Sequence, residues 1–160
     1  MRLKPILLLL LLASTLPSIS IQPASPISQP RYLEKIPRLS PDLIAYHSGH
    51  LYVHDVAKSV IAIIDPGSGE VREVDSPKML RKLEVSGDRI LLLTQDGRVL
   101  VKDLEGSRSM ELGIPARADD LEVSGDSLWV SIPSLGLLRR YDLGSLELVG
   151  EVRARVAPGL

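Results

Sequence analysis

The chain has 160 residues, enough for one domain with its own hydrophobic core and too few for two ordinary domains. Its formal net charge is −1, and the first twenty residues hold Arg2 and Lys4 but no acid, which leaves 17 bases and 20 acids in the remainder. This balance gives none of the basic surface typical of proteins that bind nucleic acid or anionic lipid, so neither is an expected partner.

Residues 1–20 have the three-part organisation of a secretory signal peptide. A basic start, MRLK, precedes an apolar run over residues 6–13, and small or helix-breaking residues follow over 14–20. Cleavage is expected after Ser20, and Ala24 is a second suitable position. The alternative is an uncleaved anchor, but the apolar run is shorter than the about 20 residues that cross a bilayer. We therefore predict a signal helix, export, and an extracellular or cell-surface location, with membrane attachment only through an uncleaved N-terminus.

An exported chain without Cys has no disulfide framework, so its fold depends on a packed core. The chain also contains no Asn and only three Gln. A scarcity of thermolabile amides and thiols is typical of proteins that work at high temperature.

Beyond position 41 the chain repeats itself with a period close to 38 residues. A Ser-Gly pair recurs at intervals of 38 before a short apolar segment, at Ser48-Gly49, Ser86-Gly87 and Ser124-Gly125. An aspartate that closes the next apolar segment recurs at nearly the same spacing, as Asp65, Asp103 and Asp142. Two markers with one period indicate repeated structural units.

Each unit divides into four short segments with the character of β-strands. In the middle unit these segments cover residues 80–85, 89–94, 98–103 and 109–112. Separators such as Asp96-Gly97 indicate tight turns, because Gly accepts the positive φ that such turns require. Four strands in about 40 residues make the blade of a β-propeller. We therefore predict an all-β fold of three four-stranded antiparallel blades, at about 42–76, 80–114 and 118–153.

The predicted organisation is a signal peptide at 1–20, a linker at 21–41 that contains five prolines, and a repeat domain at 42–156. Propellers close with four to eight blades, whereas this chain supplies three. The outer faces of the first and last blades would then lack a neighbour, and exposed apolar surface usually marks an interface. We expect either closure by oligomerisation, with two chains supplying six blades, or a chain shortened from a longer propeller.

Residues 51–74, LYVHDVAKSVIAIIDPGSGEVREV, resemble the YVTN-type propeller repeat. They show an aromatic-containing strand, a loop, an apolar strand ending in Asp, a Gly-rich turn and a valine-alternating strand. Residues 128–152 resemble the repeat less closely, and the middle unit less again. The resemblance implies the propeller fold and no single function, since such propellers serve as lactonases, electron-transfer scaffolds, cell-surface repeats and binding platforms.

The three histidines, His47, His50 and His54, all lie in the first unit and are the candidate metal ligands. On a strand, His50 and His54 share a face with Tyr52 but stand about 13 Å apart, too far to hold one ion without a bend. His47 and His50 flank a turn and can approach each other. Zinc usually takes three or four convergent ligands, so the alternative interpretation is a set of histidines on the solvated rim.

The recurring aspartates Asp65, Asp103 and Asp142 stand at turn entrances, which favours a turn-forming role over an acidic ring. Trp129 and Tyr52 occupy matching places in their units, and packing between blades explains both. Adjacent charges on one strand, such as Arg139 and Arg140, point to opposite faces and form no clamp.

The chain contains no nucleophile elbow, phosphate-binding Gly loop, Cys–His pair or HExxH motif, so no catalytic residue and no cofactor are assigned. We predict an exported, non-catalytic propeller-type module that binds or scaffolds at the cell surface, with a second copy or another protein chain as partner. One alternative is a lactonase-like or other metal-dependent propeller enzyme that uses the histidines of the first blade. The other is a fragment of a longer propeller protein without independent function.

Overall fold

The computed structural model describes residues 38–154. The predicted signal helix and most of the predicted linker lie outside this range. Within it, twelve β-strands form three sheets, and a short 3₁₀ turn at Pro133–Leu135 is the one helical element. No helix among these residues has the length and hydropathy needed to cross a membrane.

Each sheet is a four-stranded antiparallel blade with its strands in chain order. Blade 1 contains β1 (Pro41–His47), β2 (His50–Asp55), β3 (Val60–Ile64) and β4 (Val71–Asp75). Blade 2 contains β5 (Leu80–Ser86), β6 (Arg89–Thr94), β7 (Val99–Asp103) and β8 (Ser109–Glu111). Blade 3 contains β9 (Asp120–Ser124), β10 (Ser127–Ile132), β11 (Leu137–Asp142) and β12 (Leu148–Arg153). The prediction of an all-β fold with three such blades is confirmed.

The first hairpins of the three blades are not spaced by a uniform 38 residues. In blade 1 the two turn residues are Ser48 and Gly49, both with positive φ, and His47 pairs with His50. In blades 2 and 3 the turns are Gly87-Asp88 and Gly125-Asp126, and in each only the glycine has positive φ. The hairpins therefore recur after 39 and then 38 residues. The one-residue difference decides which face each side chain of β1 and β2 takes, because successive residues of a strand point to opposite faces.

The blades pack face to face, so each blade has a leading face toward the preceding blade and a trailing face toward the next. On β6, Ile90 and Leu92 mark the leading face, and Leu91 and Leu93 mark the trailing face. All four are fully buried, which explains why β6 is a continuous apolar run without alternation. The cluster between blades 1 and 2 contains Tyr52, Ile61, Ile63, Val74, Leu80, Leu83, Ile90 and Leu92. The cluster between blades 2 and 3 includes Leu91, Leu93, Val99, Val101, Leu121, Leu128, Val130, Ile132, Leu137 and Tyr141.

The first strand of each blade is the inner strand of the stack. β1 lies beside β5, and β5 lies beside β9, so neighbouring blades approach each other most closely along these strands. β4, β8 and β12 form the opposite edges of the sheets. Pro41 opens β1 although the sequence places it in the linker, because proline is tolerated as the first residue of a strand.

Candidate interaction surface

The recurring aspartates form the same turn in all three blades. The backbone N–H of Asp65, Asp103 and Asp142 donates to the carbonyl oxygen five residues later, at distances of 3.0, 3.2 and 2.9 Å. The Asp65 carboxylate accepts from the Gly67 N–H at 2.7 Å, and the Asp142 carboxylate accepts from the Ser145 N–H at 2.7 Å. The Asp103 carboxylate accepts from the Ser107 hydroxyl at 2.7 Å. The geometry is that of a turn former, as the recurrence predicts.

These hydrogen bonds lower the pKa of all three aspartates below the usual range. For Asp65 the main cause is the Gly67 N–H, for Asp103 the Ser107 hydroxyl, and for Asp142 the Ser145 N–H. Each donor stabilises the charged carboxylate. The aspartates thus serve the local fold of each blade.

The three histidines are separated by the fold. His47 and His50 are cross-strand partners at the first hairpin, and the His50 ring is 3.0 Å from the Ser48 carbonyl oxygen. His54 is fully buried on the trailing face, with Nδ1 2.6 Å from an Asp42 carboxylate oxygen and Nε2 3.0 Å from the Pro77 carbonyl oxygen. Both ring nitrogens of His54 are therefore engaged by the protein. Among residues 38–154, no three His, Cys, Asp or Glu side chains gather as metal ligands would.

A charged cluster joins the inner strands of blades 2 and 3. The Lys82 ammonium lies 2.8 Å from Glu122, 3.1 Å from Asp120 and 3.7 Å from Glu84. Burial alone would lower the pKa of Lys82, but hydrogen bonds to Glu122 and Asp120 outweigh it, so the pKa is raised. One cation thus neutralises acids on two blades and ties β5 to β9.

The leading face of blade 1 exposes two large side chains of its inner strand, at positions that are less exposed in the other blades. Ile44 of β1 corresponds to Leu83 of β5 and Leu121 of β9, since each lies four residues before the hairpin turn. Ile44 is 66% exposed, whereas Leu83 and Leu121 are 5% and 1% exposed. Tyr46, two residues before the turn, is 67% exposed. Farther from the inner strand, Val53, Ala62 and Ile64 of the same face are buried, and Leu39 packs against them. The open part of this face is therefore the strip formed by Ile44 and Tyr46.

The trailing face of blade 3 is built differently from the trailing face of blade 2. Trp129 occupies the place of Leu91, three residues after the turn, and is half-buried where Leu91 is fully buried. The Arg140 guanidinium lies 5.8 Å from the centre of the Trp129 ring, a cation–π distance. Leu138 and Val152 are cross-strand partners on the same face and are exposed. This face thus combines an aromatic side chain with apolar and charged neighbours.

Sequence reasoning did not single out Ile44 and Tyr46. They lie directly after the predicted linker, and the Ser-Gly marker aligns the first unit one residue out of register with the others. Aligning the units on the hairpin turns instead places Ile44 with Leu83 and Leu121, which reveals an apolar position without a preceding blade. The matching of Tyr52 and Trp129 agrees with this structural alignment.

No family model and no curated relative matches the chain. Solved structures match it at low identity. Apo AztD from Citrobacter koseri matches with a TM-score of 0.60 and 19% identity, over 78% of this chain and 38% of AztD. The N-terminal domain of Nup159 matches with a TM-score of 0.58 and 14% identity, over 71% of this chain and 31% of that one. The computationally designed Ika4 protein matches with a TM-score of 0.57 and 16% identity, over 76% and 77% of the two chains.

The fold is β-propeller-like. At these identities the likeness shows the fold alone. The chain spans less than half the length of AztD and of the Nup159 domain, and about three quarters of Ika4. The YVTN-type resemblance names a repeat family that these comparisons do not identify, so it stays a prediction.

Proposed function

We propose that the chain is an exported, non-catalytic β-propeller-type module that binds a protein partner at the cell surface. The observation that carries the proposal is the exposed strip of Ile44 and Tyr46 on the leading face of blade 1. Ile44 stands at a position that the fold otherwise buries against a neighbouring blade, and the exposed Tyr46 lies beside it, so the strip favours a protein partner. The signal-like N-terminus supports export, and the near-neutral charge favours protein over nucleic acid or anionic lipid.

The contacts of His54 do not favour the lactonase-like alternative. A metal held by this histidine would have to displace either the Asp42 carboxylate or the Pro77 carbonyl from the ring. His47 and His50 lie at the hairpin, at the other end of β2 from His54. A structural role for His54 follows directly from its two hydrogen bonds.

Export and binding can be tested together because the chain contains no Cys. A single cysteine is introduced by Tyr46→Cys on the leading strip or by Leu135→Cys in the 3₁₀ turn of blade 3, where Leu135 is 46% exposed. Intact cells that express the whole chain are treated with a membrane-impermeant maleimide, and labelling is compared with that of denatured protein. The Leu135→Cys variant reports whether the reagent reaches the protein at all.

The proposal predicts that Leu135→Cys is labelled in intact cells, whereas Tyr46→Cys is protected until the protein is denatured. Equal labelling of the two sites in intact cells would show that the strip is free, against a binding role. Labelling of neither site before lysis would show that the protein stays inside the cell, against export. Ile44→Cys repeats the test at a second position of the strip.

A further inference from the structure

We propose that the leading face of blade 1 binds the trailing face of blade 3 of a second copy, so that two chains close head to tail into a six-bladed ring. The inference rests on the proposed function, because it names the partner of the exposed strip. Six blades lie within the range over which propellers close.

The first argument is continuity with the two blade interfaces inside the chain. Tyr52 and Leu91 occupy one position of the trailing face, and each is buried against the leading face of the next blade. Trp129 occupies the same position in blade 3, where the chain offers no further blade among the described residues. If Trp129 packs against the leading face of another blade, this contact repeats the packing of blade 1 on blade 2 and of blade 2 on blade 3.

The second argument concerns the receiving face. Leu83 and Leu121 are buried on the leading faces of blades 2 and 3, each of which follows another blade. Ile44 supplies the same position on blade 1 but stands exposed, and the exposed Tyr46 takes the place of the partly buried Val85 and Val123. Because Leu39 packs on the outer part of this face, the contact with a second copy is centred on β1. That is where the blades inside the chain also approach most closely, through β1 with β5 and β5 with β9.

The third argument is the difference between the two free faces. The leading strip is apolar, whereas the trailing face carries Trp129, Arg140 and Leu138. Unlike faces form a heterologous contact, and a heterologous contact makes a closed ring only if its rotation closes. Two three-bladed chains meet this condition when the rotation between successive blades is about 60°, the step of a six-bladed propeller.

The test measures the solution mass of the purified whole chain, with its N-terminus as the cell leaves it, by light scattering over a range of concentrations. Tyr46→Glu alters the leading strip, Trp129→Glu alters the trailing face, and Leu135→Glu changes an exposed leucine outside both faces. The wild-type chain and Leu135→Glu are expected to have twice the mass of one chain. Each face variant is expected to dissociate with a Kd at least about tenfold higher, since a buried aromatic side chain often dominates an interface. Circular dichroism of the monomeric variants shows whether they keep the β-sheet signal and a cooperative melt.

Mixing the two face variants gives the decisive result. A pair with one Tyr46→Glu chain and one Trp129→Glu chain has one contact with both faces intact and one with both altered. Such a mixture is expected to form more dimer than either variant alone. An unchanged mass for Trp129→Glu alone would indicate pairing of leading faces and would overturn the inference.

A monomeric wild-type chain would overturn the inference as well, and the labelling experiment then separates two cases. Protection of Tyr46→Cys in cells but not in the purified monomer would point to a different protein, and the proposed function would stand. Protection that persists in the purified monomer would mean that another part of the same chain covers the strip, and both proposals would fail.

Discussion

In each blade an aspartate begins the turn between the third and fourth strands, and the residue that follows this aspartate differs from blade to blade. Asp65 is followed by Pro66, whereas Asp103 and Asp142 are followed by Leu104 and Leu143. The N–H groups of Leu104 and Leu143 donate to the carbonyls of Asp88 and Asp126 in the adjacent hairpin turns, at 3.0 and 2.8 Å. Proline has no N–H, so blade 1 lacks this bond. The aspartate therefore forms the same turn in every blade, but the hydrogen bond from this turn to the hairpin depends on the residue that follows it.

Lowered aspartate pKa values predict acid-sensitive stability. The usual pKa of aspartate is about 3.9 in an unfolded chain, and hydrogen bonds hold the folded pKa of Asp65, Asp103 and Asp142 below it. Between the two values the unfolded state binds more protons, so the contribution is fully present above about pH 5 and is lost as the pH falls through the folded pKa. Replacing all three residues with Asn removes the titration and keeps an acceptor. Urea unfolding between pH 3 and 6 is expected to show a shallower loss for the variant, and parallel curves would contradict the assignment.

His54 is expected to be a stability residue. His54→Ala leaves the Asp42 carboxylate and the Pro77 carbonyl without this partner and opens a cavity beside Ile61. We expect a loss of about 2–4 kcal/mol in the free energy of unfolding. His47→Ala, at the hairpin, is expected to change it by less than about 0.5 kcal/mol. Urea titration of both variants measures the difference, and equal small effects would mean that the two hydrogen bonds contribute little.

At the scale of the elements, the turn between β6 and β7 contacts the segment that links β8 of blade 2 to β9 of blade 3. Gly97 has a φ of 83°, and its carbonyl accepts a hydrogen bond from the Ala118 N–H at 2.9 Å. A Cβ added at Gly97 would lie 2.8 Å from the Ala118 carbonyl oxygen and would also meet the Arg117 side chain. A glycine is required here for two reasons. The segment between β8 and β9 lies too close for a Cβ, and the backbone has a positive φ.

Gly97→Ala and Gly125→Ala form a matched pair. Both glycines have positive φ, but a Cβ at Gly125 would meet nothing within 4 Å. Both changes carry the backbone penalty of a left-handed residue, about 1–2 kcal/mol, and only Gly97→Ala adds a steric clash. We expect the midpoint of thermal unfolding to fall further for Gly97→Ala. Similar midpoints would mean that the link moves aside at little cost.

At the scale of the whole molecule, neighbouring blades cover the middle blade on both faces and each end blade of the described residues on one, while Leu39 covers the outer part of the leading face of blade 1. The exposed strip of blade 1 and the mixed face of blade 3 follow from this arrangement, because no further blade covers them among residues 38–154. A stack that ends in solvent normally carries polar terminal faces. Blade 3 meets that expectation in part through Arg140 and Ser131, whereas Ile44 and Tyr46 of blade 1 do not.

Head-to-tail closure predicts a melting temperature that depends on concentration. Association stabilises the folded state by mass action, so the Tm of the wild-type chain is expected to rise with protein concentration. Tyr46→Glu is expected to weaken the dependence, and Leu135→Glu to keep it. Differential scanning calorimetry over a hundredfold range of concentration provides the measurement. A concentration-independent Tm for the wild-type chain would argue against self-association.

The amino-acid sequence alone was enough to identify the class of fold and the turns. Asp65, Asp103 and Asp142, together with the glycines of the hairpins, indicated repeated four-stranded units, because turn chemistry is local and can be recognised from a few adjacent residues. The tertiary structure was needed to show on which face the side chains of β1 and β2 lie, since alignment on the Ser-Gly marker shifts these two strands by one residue and reverses their faces. The burial of His54 against Asp42 and Pro77 depended on strand pairing, and the exposure of Ile44 and Tyr46 on the absence of a preceding blade in the described chain. Both depend on neighbours distant in sequence, which no local pattern records.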